Sequence, residues 1–301
     1  MSLPSYATPA ERVWHYAFRF ICGLIFLFLI SPILIILPLS FNAEPYFSFT
    51  EGMLNFEAEA YSLRWYQDML SNGMADPEAT EGWFADMWNN AQWIRAIKNS
   101  FFIGFFATLL ATALGTLAAI GLSRSEMPWK GPIMAMLISP MIVPLVITAS
   151  GLFYSFSQVG LDRSYLGLIL AHAVLGTPFV IITVTATLVG FDKSLVRASQ
   201  SLGASATTTF FKVQMPLILP GVISGALFAF ITSFDEVVVV LQMADVSQRT
   251  IPRQMFSGIR EQISPTILAV ATILVFISIA LLATLEMLRR RSERLRGMSP
   301  G

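Results

Sequence analysis

Six long apolar runs constrain this chain more than any other feature of its 301 residues. A helix needs about 20 mostly apolar residues to cross a bilayer, and each run reaches that length. Only 13% of the residues are charged, whereas a soluble protein has about a quarter. The sequence therefore predicts an all-α protein embedded in a lipid bilayer through six transmembrane helices. Their predicted ranges are 18–41, 97–122, 132–156, 165–190, 217–243 and 265–288.

Lysine and arginine near the ends of these runs indicate the orientation, because basic residues stay on the cytoplasmic side. The tail 289–301 carries five arginines and is expected in the cytoplasm. An even number of spans then places residues 1–17 there as well. Segment 42–93 has nine acidic residues and a single basic one, Arg64, so it is expected outside. Three basic residues in the connection before the last run, which this topology also places outside, do not follow the rule: Arg249, Arg253 and Arg260.

Motifs for bond chemistry are absent from the sequence. It contains no G-x-x-x-x-G-K-[ST] phosphate loop, no H-E-x-x-H and no G-x-S-x-G. One cysteine and two distant histidines form neither a disulfide nor a metal-ligand pattern. A net charge of zero gives nucleic-acid binding no electrostatic support. We therefore expect a chain that is not an enzyme and that carries no cofactor and no metal.

The outer segment 42–93 is rich in aromatic residues as well as acidic ones. Tryptophan and tyrosine favour the membrane–water interface, so one interpretation is an interfacial belt with a short amphipathic helix near 62–70. The other interpretation is a docking surface for an extracytoplasmic partner. One segment can serve both roles, and the sequence does not choose between them.

The connection between the fourth and fifth runs is longer than a tight turn requires. Residues 195–202 and 204–214 predict two short helices, separated by Gly203, a residue that readily adopts positive φ. Pro216 and Pro220 mark the entry into the fifth run. We call residues 195–216 the cytoplasmic knob. Its small residues would let a partner surface approach closely.

The knob reads Arg197-Ala198-Ser199-x3-Gly203-x9-Val213-x-Met215-Pro216. This spacing resembles the signature E-A-A-x3-G-x9-I-x-L-P of the permease subunits of ATP-binding-cassette importers. Ala198, Gly203 and Pro216 match it, and Val213 and Met215 are apolar exchanges. Arg197 replaces the usual glutamate, which removes the basis for that residue's salt bridge. It also suggests a heterodimer, in which a second permease supplies the glutamate.

The resemblance implies a type I importer permease fold, with a coupling helix at about 195–211 that sits in a groove of the ATPase subunit. The residues expected to contact the ATPase are Arg197, Ala198, Ser199, Leu202, Gly203, Ala204, Phe210, Phe211, Val213, Met215 and Pro216. Residues 94–288 would form the permease core, and the first helix would wrap a partner.

Four further runs are similar to the spermidine/putrescine subgroup, in particular to its second membrane subunit. They are Ser62-Leu-Arg-Trp-Tyr66, Asn99-Ser100, Ser233-Phe-Asp-Glu-Val237 and Ile263-Ser-Pro-Thr266. The similarity implies a multi-pass protein of the bacterial inner membrane that imports polyamines. Its partners would be a second permease, an ATPase dimer and an extracytoplasmic solute-binding protein. The alternatives are a related importer for another small solute (an opine, amine or phosphonate), an ion-coupled secondary transporter, or a membrane scaffold.

Asp235 and Glu236 lie inside the fifth apolar run. A charged side chain within a bilayer costs several kcal/mol, about 2.5–3.5 on insertion scales, so such residues usually face a cavity or a partner. A cationic ammonium substrate would complement them, which makes both residues candidates for the translocation pathway. Glu236 has a second interpretation, in which it bonds neighbouring helix ends.

Overall fold

A computed structural model of the protein describes residues 8–78, 82–124, 126–192, 194–261 and 264–295. Several predicted features lie partly outside these ranges: residues 1–7 and 296–301 of the two ends, Ile263 before the last run, and Glu81 of the acidic segment. Within the described ranges the chain is helical, which confirms the all-α prediction. The α-helices are α1 Pro9–Leu39, α2 Glu51–Leu54, α3 Arg64–Ser71, α4 Trp83–Asn90, α5 Gln92–Leu122, α6 Lys130–Ile142, α7 Leu145–Ser157, α8 Tyr165–Val189, α9 Ser194–Ser201, α10 Ala206–Thr209, α11 Met215–Asp235, α12 Val238–Met243, α13 Ile251–Glu261 and α14 Thr266–Leu295.

Four described helices are long and apolar enough to cross a membrane. They are α1, α5, α8 and the continuous stretch Ala206–Asp235, and they account for four of the predicted spans. The predicted sixth span falls in α14, whose apolar part, Thr266–Ala280, is shorter than a full crossing. The count of six spans and the cytoplasmic position of both ends stay predictions.

The third predicted span is a pair of helices, α6 and α7, bent by 103° at a short break. Val143 at the break has extended dihedrals, φ −71° and ψ 135°. Its neighbour Pro144 disfavours the helical conformation in the preceding residue and has no N–H to donate. Pro140 lies inside α6 without ending it. With the bent pair counted as one span, the described residues contain five candidate crossings.

The fifth predicted span, 217–243, is interrupted near its end, contrary to the expectation of one continuous helix. Helix α11 ends at Asp235, and Glu236 is extended, with φ −72° and ψ 121°. The Glu236 side chain accepts a hydrogen bond from the Val239 N–H at 2.8 Å and so satisfies a free donor in the first turn of α12. Because the Glu236 carboxylate caps α12, one helix ends and a new helix begins at this point.

The chain divides into two compact units, residues 1–72 with 261–301 and residues 73–260. In the first unit, α14 packs against α1 and α3. Asp68 of α3 accepts a hydrogen bond from Thr266 of α14. Helix α1 starts at a capping box between Thr8 and Glu11 and is buried only at Leu39. Its apolar side chains are therefore free to meet lipid or another subunit.

The segment after α1 is held by one asparagine. The Asn42 amide donates to the carbonyls of Tyr46 and Ser48, at 3.2 and 3.0 Å. The Trp65 indole donates to the Asn42 carbonyl at 2.7 Å and is buried. Helix α3 corresponds to the predicted amphipathic helix near 62–70, shifted by two residues at its start.

The core of the second unit is built from α5, α8 and α11, which pack against one another in all three pairs. Val180 of α8 is fully buried between two glycines. A Cβ added to Gly115 of α5 would lie 2.7 Å from the Val180 Cβ, and one added to Gly225 of α11 would lie 2.8 Å from its Cα. Small residues at both contacts allow the backbones to approach closely, as is common between membrane helices.

Candidate functional site

The cytoplasmic knob begins with α9, which ends in a glycine cap. Gly203 has φ +85°, and its N–H donates to the Gln200 carbonyl at 2.9 Å. The Ala204 N–H donates to the Ser199 carbonyl at 3.1 Å. This pair of bonds is the Schellman arrangement, in which a left-handed residue satisfies the last carbonyls of a helix. The predicted role of Gly203 as a helix stop is confirmed.

The second helix of the knob differs from the prediction of 204–214. Helix α10 covers one turn, capped by Ser205, and Phe210–Gln214 follows as a π-helical turn that runs directly into α11. The Met215 N–H bonds the Phe210 carbonyl, five residues back. Pro216 explains this register, because it cannot supply the N–H that an α-helical turn would need. The knob is therefore continuous with α11 rather than a separate helix pair.

A hydroxyl pair joins the two arms of the knob. Ser199 Oγ lies 3.0 Å from Thr209 Oγ1, and Thr209 is buried. Ser199 stands where the importer signature has alanine. The serine at this position has a local explanation, because its hydroxyl joins α9 to α10 by a hydrogen bond.

The surface of the knob presents apolar and small residues. Leu202 is 88% exposed and Phe211 is 62% exposed. A Cβ added to Gly203 would meet nothing within 4 Å, so the space above this residue is open. The remaining predicted contact residues fall into two groups. Arg197, Ala198 and Pro216 are exposed, whereas Ala204, Phe210, Val213 and Met215 are half-buried.

Arg197 lines a pocket of about 450 Å³ behind the knob, together with Arg124, Glu126 and Gln214. Asp192, which precedes α9, accepts hydrogen bonds from the Ser194 hydroxyl at 2.7 Å and the Ser194 N–H at 2.8 Å. These bonds, with a smaller contribution from the charge of Arg197, hold the pKa of Asp192 below its ordinary value. The start of the knob is thus fixed by an ionised carboxylate.

Asp235 and Glu236 lie at the far end of α11 from the knob. A helix of 21 residues is about 30 Å long, so the two sets of predicted residues are separated by roughly the thickness of a hydrocarbon core. Asp235 is exposed in the single chain, and Glu236 is 6% exposed. The interpretation of Glu236 as a residue that bonds a helix end agrees with its contact to Val239.

Polar side chains surround this break. The His172 ring, which is buried, lies 2.8 Å through Nδ1 from Ser233 Oγ. Ser150 of α7 donates to Gln242 of α12 at 3.1 Å. Neither pair was identified from the sequence, because a single histidine or serine in an apolar run carries no spacing pattern.

The N-terminal part of α5 holds the segment 246–254 in place. The Asn99 amide donates to the carbonyls of Ser247 and Arg249, both at 2.9 Å, and its oxygen accepts from the Tyr165 hydroxyl at 2.9 Å. Ser100 Oγ accepts the Ile251 N–H at 2.8 Å. The Asn99-Ser100 pair, noted in the sequence without a role, therefore connects three segments of the second unit.

Arg253 accounts for one of the arginines that break the charge rule. Its Nη1 donates to the carbonyls of Val240, Ala244 and Asp245, at 3.2, 2.8 and 3.1 Å. The carbonyls of Ala244 and Asp245 lie just beyond the end of α12, where intrahelical partners are missing, and the Val240 carbonyl in its last turn also accepts the Ala244 N–H. The arginine is needed as a helix cap, independently of which side of the membrane it occupies.

Four described helices of bilayer length, with an exposed helical knob and a capped break near acidic side chains, indicate a multi-pass membrane protein. The chain belongs to the family described as the inner membrane component of binding-protein-dependent transport systems, whose model matches residues 111–294. The match covers more than half of the chain and confirms the resemblance found in the knob. As a member of this family the chain is a transport subunit and not an enzyme.

Several curated proteins are similar over most of their length. The spermidine/putrescine transport system permease protein PotC of Haemophilus influenzae is 32% identical over 92% of this chain and 96% of its own. PotC of Escherichia coli strain K12 is 30% identical over 70% and 80%. The putrescine transport system permease protein PotI of the same strain is 28% identical over 83% and 82%.

A solved structure shares the fold. A chain of a bacterial ABC transporter involved in the import of the acidic polysaccharide alginate matches 93% of this chain and 99% of its own, with a TM-score of 0.68 and 14% identity. A second structure, the alginate transporter in complex with an alginate pentasaccharide-bound periplasmic protein, matches with a TM-score of 0.56 and 15% identity. At these identities the likeness concerns the fold alone.

Proposed function

We propose that this chain is one of two membrane-spanning permease subunits of an ATP-driven, binding-protein-dependent importer of polyamines, putrescine or spermidine. The observation that carries the proposal is the knob, in which a glycine-capped helix with exposed Leu202 and open space above Gly203 runs without interruption into α11. A surface of this kind suits close docking in a groove of an ATPase subunit. The chain itself holds no nucleotide and no other cofactor.

The knob would transmit the closure of the ATPase pair into the spans. The proposed contacts are the eleven residues of the knob that the importer resemblance assigns to the ATPase interface, with Gly203 and Leu202 at the centre. Because α10, the π turn and α11 form one continuous stretch, a displacement of the knob moves the base of α11. Arg197 stands where the importer signature has glutamate, which supports the proposal that a second, different permease provides this glutamate and that the pair is a heterodimer.

The proposed topology has six spans with both ends in the cytoplasm of a bacterial inner membrane. Helix α14 supplies the sixth span, and residues 42–93 lie outside. The core is 94–288, and α1, buried only at Leu39, covers a partner subunit. The knob and the pair Asp235 and Glu236 are then on opposite sides of the hydrocarbon core, which suits a device that couples ATP hydrolysis on one side to solute entry on the other.

The polyamine substrate is proposed from the relatives and from charge. Three similar proteins are named as putrescine or spermidine permeases. Asp235 is exposed at the break after α11 and offers a carboxylate to an ammonium group. Glu236 borders the same pathway while it caps α12. A solute-binding protein would deliver the substrate and provide most of the selectivity.

Uptake of radiolabelled putrescine and spermidine tests the substrate. Host cells that lack this chain should lose uptake, and restoring the chain should return it. Replacing Asp235 with Asn should reduce uptake at low substrate concentration. Unchanged polyamine uptake without the chain would contradict the substrate class, and co-purification with an ATPase would then test the permease role separately.

A glycine comparison tests the coupling role. Gly203 and Gly160 both have positive φ, +85° and +69°, and neither has an atom within 4 Å of an added Cβ. Replacing either glycine with a larger residue therefore strains the backbone in the same way. We expect Gly203→Arg to uncouple ATP hydrolysis from transport because its side chain enters the groove, while Gly160→Arg leaves coupling intact. Equal effects of the two substitutions would point to backbone strain instead.

An ion-coupled secondary transporter is the other candidate, favoured by the acidic residues at the break. It predicts uptake driven by an ion gradient without the ATPase. Proteoliposomes that contain the permease pair alone, with and without a proton gradient, separate the two functions.

A further inference from the structure

A pocket of about 260 Å³ lies in the second unit, between the N-terminal turns of α5 and the segment 246–254. Two arginines, Arg95 and Arg249, line it. Its other lining residues include the amides Asn90, Gln92, Asn99 and Gln254. The lining therefore carries two positive charges and amides, and no carboxylate.

Neither guanidinium has an acidic partner among the described residues. The Arg249 Nε is buried without a hydrogen-bond partner, and its Nη1 lies 3.5 Å from the Gln254 side-chain oxygen. A buried donor on a charged group costs free energy when it is left unpaired. The pocket thus has donors prepared for an anionic group that the described residues do not supply.

The N-terminus of α5 adds to the positive electrostatic potential of the pocket. No side chain caps the helix at Ala91, so the N–H groups of its first turn remain available at the positive end of a helix dipole. Asp86 bonds the lining residue Asn90 but is already stabilised, since the Asn90 amide and the Asp76 N–H hold its pKa below the ordinary value. Asp86 is therefore ionised, and it is not one of the residues that line the pocket.

The pocket is open to the surface of the chain. Val246 at its rim is 64% exposed. Arg95 lies two residues before the predicted span 97–122, so in the proposed topology the pocket is at the extracytoplasmic end of this span. A protein docked on this side can reach the pocket, and the anionic-lipid arm of the test below distinguishes it from a lipid headgroup.

We propose that this pocket binds a carboxylate side chain of the extracytoplasmic solute-binding protein when that protein docks. The proposal rests on the proposed importer function, which places this side of α5 outside the cell. Two arginines exclude the cationic substrate as the occupant. A carboxylate held by two guanidiniums forms the strong, geometrically specific bonds that fix a docked partner in one orientation.

The test uses the complete transporter in nanodiscs and the solute-binding protein that supports uptake. Affinity is measured for the wild type, Arg95→Gln, Arg249→Gln and the double variant. Lys98→Gln is the matched control, since Lys98 is on the same helix but bonds the Trp88 carbonyl and lies over its ring, away from the pocket lining. Loss of a paired charge at an interface predicts an affinity about tenfold or more lower in the double variant.

The salt dependence of the affinity should also be weaker in the double variant and unchanged in Lys98→Gln. Arg249→Lys, which keeps the charge, should retain part of the affinity if the pocket holds an anion. Wild-type affinity in a double variant that co-purifies with its partners overturns the pocket and leaves the importer function standing. Wild-type affinity combined with a loss of activity only in anionic lipid overturns it in favour of a headgroup. A wild-type complex that binds no solute-binding protein overturns both proposals.

Discussion

Replacing Gly225 with alanine should separate α8 from α11. The added Cβ would lie 2.8 Å from the Val180 Cα, whereas ordinary contact begins at 3.4 Å. The backbones must therefore move apart by about 0.6 Å, because a Cα atom cannot rotate away as a side chain does. The new methyl group would also be too close to the Thr183 hydroxyl, which already donates a hydrogen bond to the Phe179 carbonyl at 2.9 Å.

Overpacking of this kind costs about 1–3 kcal/mol. Alanine also favours a helix over glycine by about 1 kcal/mol, which would mask part of the loss. Gly151→Ala provides the correction, since Gly151 is helical and nothing lies within 4 Å of its added Cβ. We expect Gly225→Ala to be about 1–3 kcal/mol less stable than Gly151→Ala, or about 2–12 °C lower in unfolding midpoint.

Thermal unfolding of the purified subunit in nanodiscs measures this difference. Transport activity at a temperature below both midpoints shows whether the displacement also affects function. If Gly225→Ala unfolds at the same temperature as Gly151→Ala, close approach of the two helices is not what the glycine provides, and the packing argument fails.

Three further outcomes follow from the same contacts. Arg253→Gln should lower the free energy of unfolding by about 1.5–3 kcal/mol, because it removes charged hydrogen bonds to three carbonyls. Arg260→Gln, on the same helix, is the control and should have little effect in the same thermal unfolding assay. Asn99→Ala should cost about 1–3 kcal/mol, because two carbonyls lose their donor; an unchanged midpoint would contradict the role of this residue. The pKa of Asp192 is lowered in the fold. The bonds of its carboxylate to Ser194 are therefore present above the unfolded pKa of about 3.9 and are lost only below it. ATP hydrolysis and uptake should consequently have the same pH profile in the wild type and in Asp192→Asn between about pH 5 and 8.

The parts of the fold that the sequence predicts are those with a local cause. Bilayer-length apolar runs predict the long helices, and Gly203 predicts the left-handed cap. The spacing of the knob was also sufficient to indicate the family. Each of these signals lies within a few residues of the structure that it determines.

The parts that were wrong or missed depend on what the chain brings together. The sequence offered two interpretations of Glu236, one of them a bond to a helix end, but it did not predict the break after Asp235 at which Glu236 caps α12. The predicted second helix of the knob became one turn plus a π turn, because Pro216 acts on carbonyls several residues upstream. Arg253 and Asn99 bond carbonyls that are distant or irregular in the sequence, which no local pattern encodes.

Val180, enclosed by a glycine on each side, has a mechanical consequence. Helices α5, α8 and α11 cannot slide past one another without forcing backbone against side chain, so they move as a rigid body. An alternation between two states would then use the break at Val143–Pro144 and the break after Asp235 as hinges. A disulfide engineered between α8 and α11 would consequently be silent in transport, whereas one that spans the α6–α7 bend would stop it.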